Sequence, residues 1–597
     1  MPATQMTTLQ SLLWPEPGIS TERELYMRLA GPVAFSMNAP CLTFGRGGSA
    51  DFSTAANVFN LGKWRRHCGL VDLRLRLDGI GSFELVVFCA QTGQSREPLV
   101  NTLVELSLDK PLSVDVTPHI AAHASTGVLF FTLRALGDAR LNGAAWVTAT
   151  LPTRLPKLAV SITTYKREAA VQETAERFER FIARSSLAPR LHLFVVDNGQ
   201  SANIPASDHV TPIANANLGG SGGFARGLLE AEARGFSHCL FMDDDASVHM
   251  EALVRTWAFL AYATDPKTAV AGGLTSAENP WSLWESGAIF DRFCRPQWMG
   301  TDLRAFDDVV RMEEASTVPK PHNFYGGWWF FAFSIAETRH WPFPFFVRGD
   351  DISFSIANDF EIVTLPGVIC FQDTDFAEKE SLQTLYLDLR SHLVHHLALP
   401  SMDIGLRGTL GIPLWFFIRS LMQSHYDTLA ALNLALEDVL QGPGFFAENA
   451  DMSERRARIA KKRQTENWVP MTGQPPESRR RFDPRRSRFW LLLTVNTLNG
   501  HLLPFFGLWG NHVTLKSSQR GNLQEVWGAA RITYVNADGT QILTVRHSKL
   551  AALKQSFRMA KNLGKLALRY PAIKKEWQRG YEGIATRDFW QRTFKSS

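Results

Sequence analysis

The sequence predicts an α/β protein whose central doubly wound domain is preceded by an antiparallel β-sandwich and followed by a mostly α-helical region. Three observations lead to this prediction. Residues 30–150 alternate apolar and polar positions in short runs, continuous apolar runs alternate with helices from residue 156, and amphipathic stretches fill the chain from about residue 380. We therefore predict domains over residues 1–152, 153–400 and 401–597.

Composition limits the classes of function. The chain has 597 residues and a formal charge of only +5, with its cationic excess confined to short segments, so nucleic-acid binding is not expected. Its six cysteines include no C-x-x-C pair, which is typical of buried thiols in a reducing compartment. The first residues lack the basic start and apolar stretch of a signal peptide. We expect a cytoplasmic protein.

The N-terminal runs SFELVVFCA, LVELSLD and GVLFFTLRAL alternate as half-buried strands do. A module of this kind either binds carbohydrate or braces its neighbour, and the sequence leaves both open.

The central domain begins with buried strands at Leu158–Thr163, Leu191–Val196 and His238–Met242, separated by helical segments. Strands that alternate with helices form a parallel sheet through right-handed crossovers. Ligands of such sheets bind at the carboxyl ends of the strands.

Polar residues follow two of these strands, as TTYKR from Thr163 and as Asp197-Asn198-Gly199. A glycine-rich segment, NLGGSGGFARG, starts at Asn217 and leads into a helix. Backbone amides of Gly219 and Gly220, with the cation of Arg226, suit an anion such as a diphosphate. The alternative is a flexible loop.

The third strand ends in Asp243, Asp244 and Asp245. Three adjacent carboxylates at the tip of a buried strand need a neutralising charge. Alternate side chains of an extended segment point the same way, so Asp243 and Asp245 could share one divalent cation that also binds the phosphates of a nucleotide.

A second acidic group lies downstream, where YGGWW, with Trp328 and Trp329, precedes Asp350 and Asp351. The tryptophans are either core residues or, exposed by the adjacent glycines, a stacking surface for a sugar ring. A carboxylate beside such a surface is a candidate general base.

Two apolar segments, LGIPLWFFI from Leu410 and the stretch Phe489–Gly510, are interpreted as buried or interfacial helices because the first is too short to cross a bilayer and the second is interrupted by polar residues. A Pro- and Arg-rich connector at about residues 465–488 is either a solvated linker or a contact with anionic lipid.

In this order, the motifs TTYKR, VVDNG, NLGGSGGFARG, FMDDD, YGGWW, GDD and LPG resemble the bifunctional UDP-galactofuranosyltransferases that polymerise galactan. Those enzymes are family-two glycosyltransferases with a Rossmann-like GT-A domain. The resemblance implies a metal-dependent inverting enzyme that transfers a sugar from a UDP-sugar to a glycan acceptor, which could be lipid-linked at the cytoplasmic face of the membrane. It also implies a homo-oligomer.

The resemblance assigns a role to each matching position. It implies that Mn²⁺ or Mg²⁺ binds Asp243 and Asp245, with Gln372 at the place of the family's metal-binding histidine, and that Asp351 is the catalytic base. It also implies that Arg167, Asp197 and Asn217 contact the UDP portion, that Trp328 and Trp329 line the sugar site, and that Asp350 helps to bind the acceptor. The residue patterns add Gly219, Gly220, Arg226 and Asp244 to the predicted substrate-binding residues. The acceptor half departs further from the family, with Gly349 in place of a tryptophan, Phe224 in place of a tyrosine and Asp388 in place of a histidine.

Two other classes of function stay open. A non-catalytic glycan- or nucleotide-binding assembly protein would bind UDP without turnover, and a nucleotidyltransferase would release pyrophosphate instead of UDP. Neither explains the acidic pair after the tryptophans as directly as sugar transfer does.

Overall fold

A computed structural model describes residues 6–121, 127–372 and 380–596. Within this part of the chain no helix is long and apolar enough to span a bilayer. Three sheets of four or more strands organise the fold, one in the N-terminal module, one in the central domain and one in the C-terminal region.

The N-terminal module is an eleven-stranded antiparallel sheet with two short helices, α1 (Leu61–Cys68) and α2 (Thr117–Ala121). The predicted antiparallel strands are confirmed, but they do not form two separate sheets. The long seventh strand pairs through residues 74–80 with residues 140–147 and through residues 83–90 with residues 128–135. It therefore joins both groups of strands into one hydrogen-bonded sheet. The strands β1 to β11 are Thr7–Ser11, Arg28–Ala30, Val33–Ser36, Cys41–Phe44, Ser49–Asp51, Phe59–Asn60, Arg74–Ala90, Glu97–Leu106, Leu112–Asp115, Val128–Ala135 and Ala139–Thr148.

The central domain has a nine-stranded sheet. Its strands and a separate small sheet contribute β12 to β23: Leu158–Thr164, Leu191–Asp197, Val210–Ala214, His238–Asp243, Ala246–Val248, Thr268–Ser276, Leu283–Glu285, Ala288–Phe290, Cys294–Pro296, Phe324–Tyr325, Phe331–Ser334 and Glu361–Gln372. The helices α3 to α8 are Glu168–Ile182, Gly219–Ala233, Glu251–Tyr262, Phe306–Ala315, Asp350–Asn358 and Leu382–Ala398.

The sheet is mixed, although the sequence predicts a parallel one. Strands β14, β13, β12 and β15 are parallel neighbours, as predicted. Strand β22 inserts antiparallel between β15 and β17. The carboxyl ends of β12, β13 and β15 therefore meet at one edge.

The C-terminal region consists of nine helices and a four-stranded sheet among the described residues. The helices α9 to α17 are Gly405–Met422, Tyr426–Leu440, Pro443–Glu448, Ser453–Lys462, Arg488–Asn496, Phe506–Trp509, Leu523–Val526, Lys549–Ile584 and Arg587–Ser596. The strands β24 to β27 are Val469–Pro470, Asn511–Lys516, Ala529–Val535 and Gln541–Arg546. This sheet is absent from the sequence prediction.

Packing joins the units. One hydrophobic core runs from the N-terminal sheet into the central domain, and a second joins residues of the central domain to the C-terminal helices. Between the first two units, Lys63 Nζ lies 2.6 Å from Glu313 Oε2 in a buried ion pair. The domain limits at residues 152 and 400 stay predictions.

Candidate active site

A polar cavity of about 440 Å³ opens at the carboxyl edge of the central sheet. Residues from the ends of β12, β13, β15 and β23 line it, together with the start of α4 and two residues from later in the chain. The lining residues are Thr163, Thr164, Tyr165, Arg167, Asn198, Asn217, Gly219, Gly220, Phe224, Asp243, Asp244, Asp245, Phe346, Val347, Gln372, Gln383 and Arg456. The structure thus brings together most of the residues predicted for the donor.

The acidic tip of β15 lies in this cavity. Burial, followed by the charges of Asp245, Asp244, Asp350 and Asp351, raises the pKa of Asp243 well above its usual range. Asp244 accepts a hydrogen bond of 2.8 Å from Thr164 Oγ1, so it is turned towards β12. The uncompensated negative charge is therefore centred on Asp243, where a cation would be stabilised.

Asp245 has two contacts at the same place. Arg167 Nη1 lies 2.5 Å from Asp245 Oδ2, and Gln372 Nε2 donates to Asp245 Oδ1 at 2.9 Å. Residue 372 is the last of β23, whose antiparallel pairing with β16 places it opposite Ala246. Gln372 is thus next to the acidic tip, as its place in the resemblance predicts.

The donor atoms fit a hard divalent cation only as a partial ligand set. No group of three or more His, Cys, Asp or Glu side chains suited to a metal occurs in the described residues. The chain offers two carboxylates and the Oε1 atom of Gln372, which is buried and accepts no hydrogen bond from any described residue. An oxygen set of this kind suits Mg²⁺ or Mn²⁺ when phosphate oxygens and water complete the coordination.

The second acidic pair begins α7. Phe346, Arg348 and Gly349 all have positive φ values, of 73°, 68° and 92°, and this strained turn sets the direction of the helix. Burial raises the pKa of Asp350 to about 6, and its Oδ2 accepts a hydrogen bond of 2.9 Å from Ser221 Oγ at the start of α4.

Asp351 is held differently. Its Oδ1 accepts the Ile352 N–H at 2.8 Å, and burial together with the charge of Asp350 raises its pKa to about 7. A carboxyl group with such a pKa can accept a proton near neutral pH. Close to it, burial and then the charge of Asp351 raise the pKa of Glu285 to about 8, and Glu285 Oε1 has no hydrogen-bond partner among the described residues. Glu285 carries no motif and is missed by sequence reasoning.

The glycine-rich segment is the start of a helix and not a loop. Gly219 has φ of 69°, and a Cβ there would lie 2.1 Å from the carbonyl oxygen of Phe346. A Cβ at Gly223 would lie 2.1 Å from Thr163 Cγ2. The glycines therefore let α4 pack closely on β12 and on the 346–349 turn, and the N-terminus of α4, at Gly219 and Gly220, faces the cavity.

Two predicted donor contacts are turned away. Arg226 Nη2 pairs with Glu230 at 2.9 Å and its guanidinium lies over the ring of Phe594, so it is not part of the cavity wall. The position lies nearly two turns into α4, on the face that packs against α17. Asp197 is also absent from the wall, because its carboxylate accepts the N–H groups of Gly199, Ser201 and Ala202.

Trp328 and Trp329 are core residues, with 5% and 8% of their surfaces exposed. The ring of Trp328 packs 4.9 Å from Phe241, and Trp329 Nε1 donates to the Gly272 carbonyl at 2.9 Å. Of the two alternatives left open by the sequence, this burial favours core residues over an exposed stacking surface. Trp328 does contact Phe224, a residue of the cavity wall, at 5.1 Å.

The cavity wall includes residues to which the sequence prediction assigns no role, among them Asn198, Gln383 and Arg456. Asn198 donates to the Gly219 carbonyl at 3.0 Å and so positions the start of α4. Gln383 and Arg456 come from α8 and α12, far along the chain, and Arg456 lies 5.0 Å over the ring of Phe346. Asn198 lies beside the predicted Asp197, whereas nothing in the local sequence of Arg456 indicates the contact.

Comparison with known proteins gives distant relatives. Galactofuranosyltransferase GlfT2 of Mycolicibacterium smegmatis is 24% identical over 466 residues, which cover 73% of this chain and 72% of that protein. GlfT2 of Mycobacterium tuberculosis is 24% identical over 474 residues, with 73% and 72% covered. No protein-family model matches the sequence. The predicted resemblance is confirmed as distant homology.

Solved structures show a weaker likeness. The mannosyltransferase PcManGT from Pyrobaculum calidifontis, in complex with GDP-Man and Mn²⁺, is 16% identical with a TM-score of 0.29 and covers 52% of this chain and 85% of its own. Mannosyl-3-phosphoglycerate synthase from Rubrobacter xylanophilus is 12% identical with a TM-score of 0.24 and covers 40% and 74%. The overlap is too limited to bear on function.

Proposed function

We propose that this glycosyltransferase, a distant homologue of galactofuranosyltransferase GlfT2, transfers galactofuranose from a UDP-sugar to a hydroxyl of a glycan acceptor, with inversion, in a GT-A-like α/β domain. One observation carries the proposal. Burial, followed by the charges of four neighbouring carboxylates, raises the pKa of Asp243, so Asp243–Asp245 and Asp350–Asp351 bring five carboxylates close together. The first group suits the donor diphosphate with its cation and the second suits proton removal from the acceptor.

In this proposal the donor lies in the cavity of about 440 Å³. The N-terminus of α4, at Gly219 and Gly220, faces the diphosphate, and Asn217 and Arg167 line the nucleotide side. Mn²⁺ or Mg²⁺, held by Asp243, Asp245 and Gln372, would neutralise the charge of the departing UDP. Arg167 already pairs with Asp245, so it also holds that carboxylate in place.

On the acceptor side, Asp351 acts as the general base. Its carboxylate takes the proton of the attacking hydroxyl, the hydroxyl oxygen forms a bond to the anomeric carbon, and the bond from that carbon to the diphosphate oxygen breaks. One displacement inverts the anomeric centre and releases UDP. Asp350, bonded to Ser221 on α4, couples the position of the acceptor pair to the donor end.

A panel of UDP-sugars with manganese, with and without simple glycoside acceptors, tests the function. We expect acceptor-stimulated UDP release that is fastest with UDP-galactofuranose. Pyrophosphate release would indicate a nucleotidyltransferase, and UDP binding without turnover would indicate a non-catalytic assembly protein.

The pH dependence of kcat/KM should report the ionisation of Asp351. Because its folded pKa is about 7 and the base is the ionised form, kcat/KM should rise about tenfold per pH unit up to pH 7 or below and then level off. A bound cation near Asp243 can only move this limb to lower pH. Asp350→Asn removes a charge that raises the pKa of Asp351, so the rise of kcat/KM should shift to lower pH in this variant. A kcat/KM that does not change between pH 5 and pH 8 would contradict the assignment of Asp351 as the base.

Arg456 is expected to bind the donor diphosphate. It lines the cavity, and its Nε is buried without a partner among the described residues. Arg456→Ala should weaken UDP binding about tenfold, because a charge-assisted hydrogen bond is lost. Arg463→Ala, an exposed arginine just after the same helix, is the matched control and should bind UDP like the wild type. Equal affinities in all three proteins would remove Arg456 from the site.

We also propose peripheral contact with the cytoplasmic face of the membrane. Phe505, Leu508 and Leu550 have 77%, 78% and 79% of their surfaces exposed, and the Phe506 ring lies 5.1 Å from His547, which makes the two segments neighbours. The basic connector contributes less than predicted, because Arg480 and Arg485 pair with Glu525.

Flotation with vesicles tests this contact. The double variant Phe505→Ser, Leu508→Ser should lose most of its vesicle binding, whereas Leu151→Ser, equally exposed at 77% in the N-terminal half, should keep it. Equal flotation of both variants would contradict the proposed surface.

A further inference from the structure

A second large cavity lies in the C-terminal region and shares no lining residue with the first. Its volume is about 900 Å³, and helices α10, α12 and α16 enclose it together with β26 and β27. We call it the basic cavity. Its wall consists of Tyr426, Asp427, Ala430, Arg458, Lys461, Lys462, Gln464, Thr465, Arg531, Thr544, Arg546, His547, Ser548, Ala551, Lys554 and Gln555.

The charge of this wall is one-sided. Six lysine and arginine side chains face one carboxylate among the lining residues. That carboxylate, Asp427, is already engaged, since its Oδ2 accepts the N–H groups of Gln464, Thr465 and Glu466. Among the described residues, none of the six cations forms an ion pair within 4 Å of a carboxylate. Within the described part of the chain, the positive charge of this wall is therefore not matched by paired carboxylates.

The arrangement costs stability in two ways. Arg531 and Arg546 are direct cross-strand partners in the β26–β27 ladder, and like charges at such positions repel. Arg458, Lys461 and Lys462 follow the i, i+3, i+4 spacing on α12, so they also share a face. The C-terminal end of a helix favours cations, which accounts for part of the α12 group but not for the arginine pair opposite.

The electrostatic environment of the basic cavity is also consistent with its excess of cations. Partial burial and then the charges of Arg558 and Arg458 lower the pKa of Lys462. The Nε atom of Arg531 and the Nε2 atom of His547 are buried without a hydrogen-bond partner in the described part of the chain. A buried guanidinium N–H without a partner, beside repelling cations, is an arrangement that an anionic ligand would satisfy.

We propose that the basic cavity binds a ligand carrying two or more phosphate groups. A single carboxylate would leave most of the six cations uncompensated, whereas a diphosphate or paired phosphates can accept from the guanidinium groups of Arg531 and Arg546 on one side and the α12 cations on the other. The volume of the cavity is ample for such a group and is at the upper end of the usual range for ligand sites.

Two sources of phosphate fit the same chemistry. A soluble diphosphate would enter from solvent. Anionic phospholipid headgroups would come from the membrane, because Leu553 and Phe557 on α16, beside Lys554 of the wall, have 70% and 75% of their surfaces exposed. The experiment separates these sources.

Thermal unfolding and calorimetry with inorganic pyrophosphate, in EDTA and without lipid, form the first arm. Flotation with vesicles of phosphatidylcholine and phosphatidylglycerol in equal proportions forms the second. Both arms use the full chain as wild type, as Arg531→Gln, Arg546→Gln and as Lys461→Gln, Lys462→Gln. Arg226→Gln, with its arginine outside both cavity walls, is the matched control.

For a soluble ligand, pyrophosphate should stabilise the wild type and Arg226→Gln, and each double variant should bind it at least about tenfold more weakly. For a lipid ligand, pyrophosphate should have little effect, and both double variants should float at least about tenfold less than the control. Without any anion, Arg531→Gln, Arg546→Gln should unfold at the same or a higher temperature, because a repulsion is removed. Double variants that match the control in both arms would overturn the proposal.

Discussion

Asp351→Asn should reduce sugar transfer by about 10²- to 10⁴-fold while UDP affinity stays near that of the wild type. The amide keeps the size of the side chain but cannot accept the proton of the acceptor hydroxyl. Asp351 is half-buried, and burial together with the charge of Asp350 raises its pKa to about 7, so the carboxylate is basic enough to take this proton. Product formation under single-turnover conditions and UDP calorimetry would measure the two effects separately.

Asp359→Asn is the matched control for that variant. Asp359 follows the same helix, is exposed and pairs with Lys267 at 2.9 Å, so its loss should leave transfer unchanged. If Asp351→Asn turned over like Asp359→Asn, the base would have to be another group, and Glu285 would be the next to test.

Asp243→Asn should lower kcat/KM by about 10³-fold or more, because the variant loses a carboxylate that would hold the cation facing the departing diphosphate. We expect the Asp243→Asn variant to fold at least as stably as the wild type. Burial and four neighbouring carboxylates raise the pKa of Asp243, so above its unfolded pKa the ionised group destabilises the cation-free protein, and the neutral amide removes that cost. Thermal unfolding in EDTA should therefore give an unchanged or higher Tm.

The neighbouring position provides the comparison. Asp244 is turned towards Thr164, so Asp244→Asn should cost much less activity than Asp243→Asn. A larger loss at Asp244 than at Asp243 would show that the assignment of the two carboxylates is reversed.

The donor half of the site could be predicted because it depends on local signals. Continuous apolar runs identify β12, β13 and β15, and parallel neighbours end at the same edge, so the polar residues after them had to meet. The acidic tip and Gln372 lie together as predicted. The N-terminus of α4 also faces the cavity, although its glycines serve close packing as much as anion access.

Other features depend on tertiary contacts that no local pattern records. Arg456 reaches the cavity because α12 packs beside the 346–349 turn, and Arg226 is turned away because α17 packs on α4. Trp328 fills an aromatic core that includes Phe241 and Phe354, and Trp329 lies in the core that runs from the N-terminal sheet into the central domain. The C-terminal sheet is made of short runs between long helices, so the helical pattern dominates the prediction.

Gly349 illustrates a departure from the family that the fold explains. A Cβ there would lie 2.5 Å from Ser391 Cβ, at a φ of 92°, so the tryptophan found in relatives could not occupy this backbone. Arg348 instead pairs with Asp388 at 3.3 Å next to the acceptor pair. Under the proposed function these residues lie on the acceptor side, and we expect acceptor preference to be where this chain differs most from its relatives.

Calorimetry of UDP binding to the wild-type protein, in EDTA and then with manganese or magnesium, tests most directly whether the acidic end of β15 is a cation site for the diphosphate. The account predicts that either ion tightens UDP binding by about tenfold or more, since the bound charge bridges carboxylate and phosphate. Equal affinity with and without the ions would contradict it.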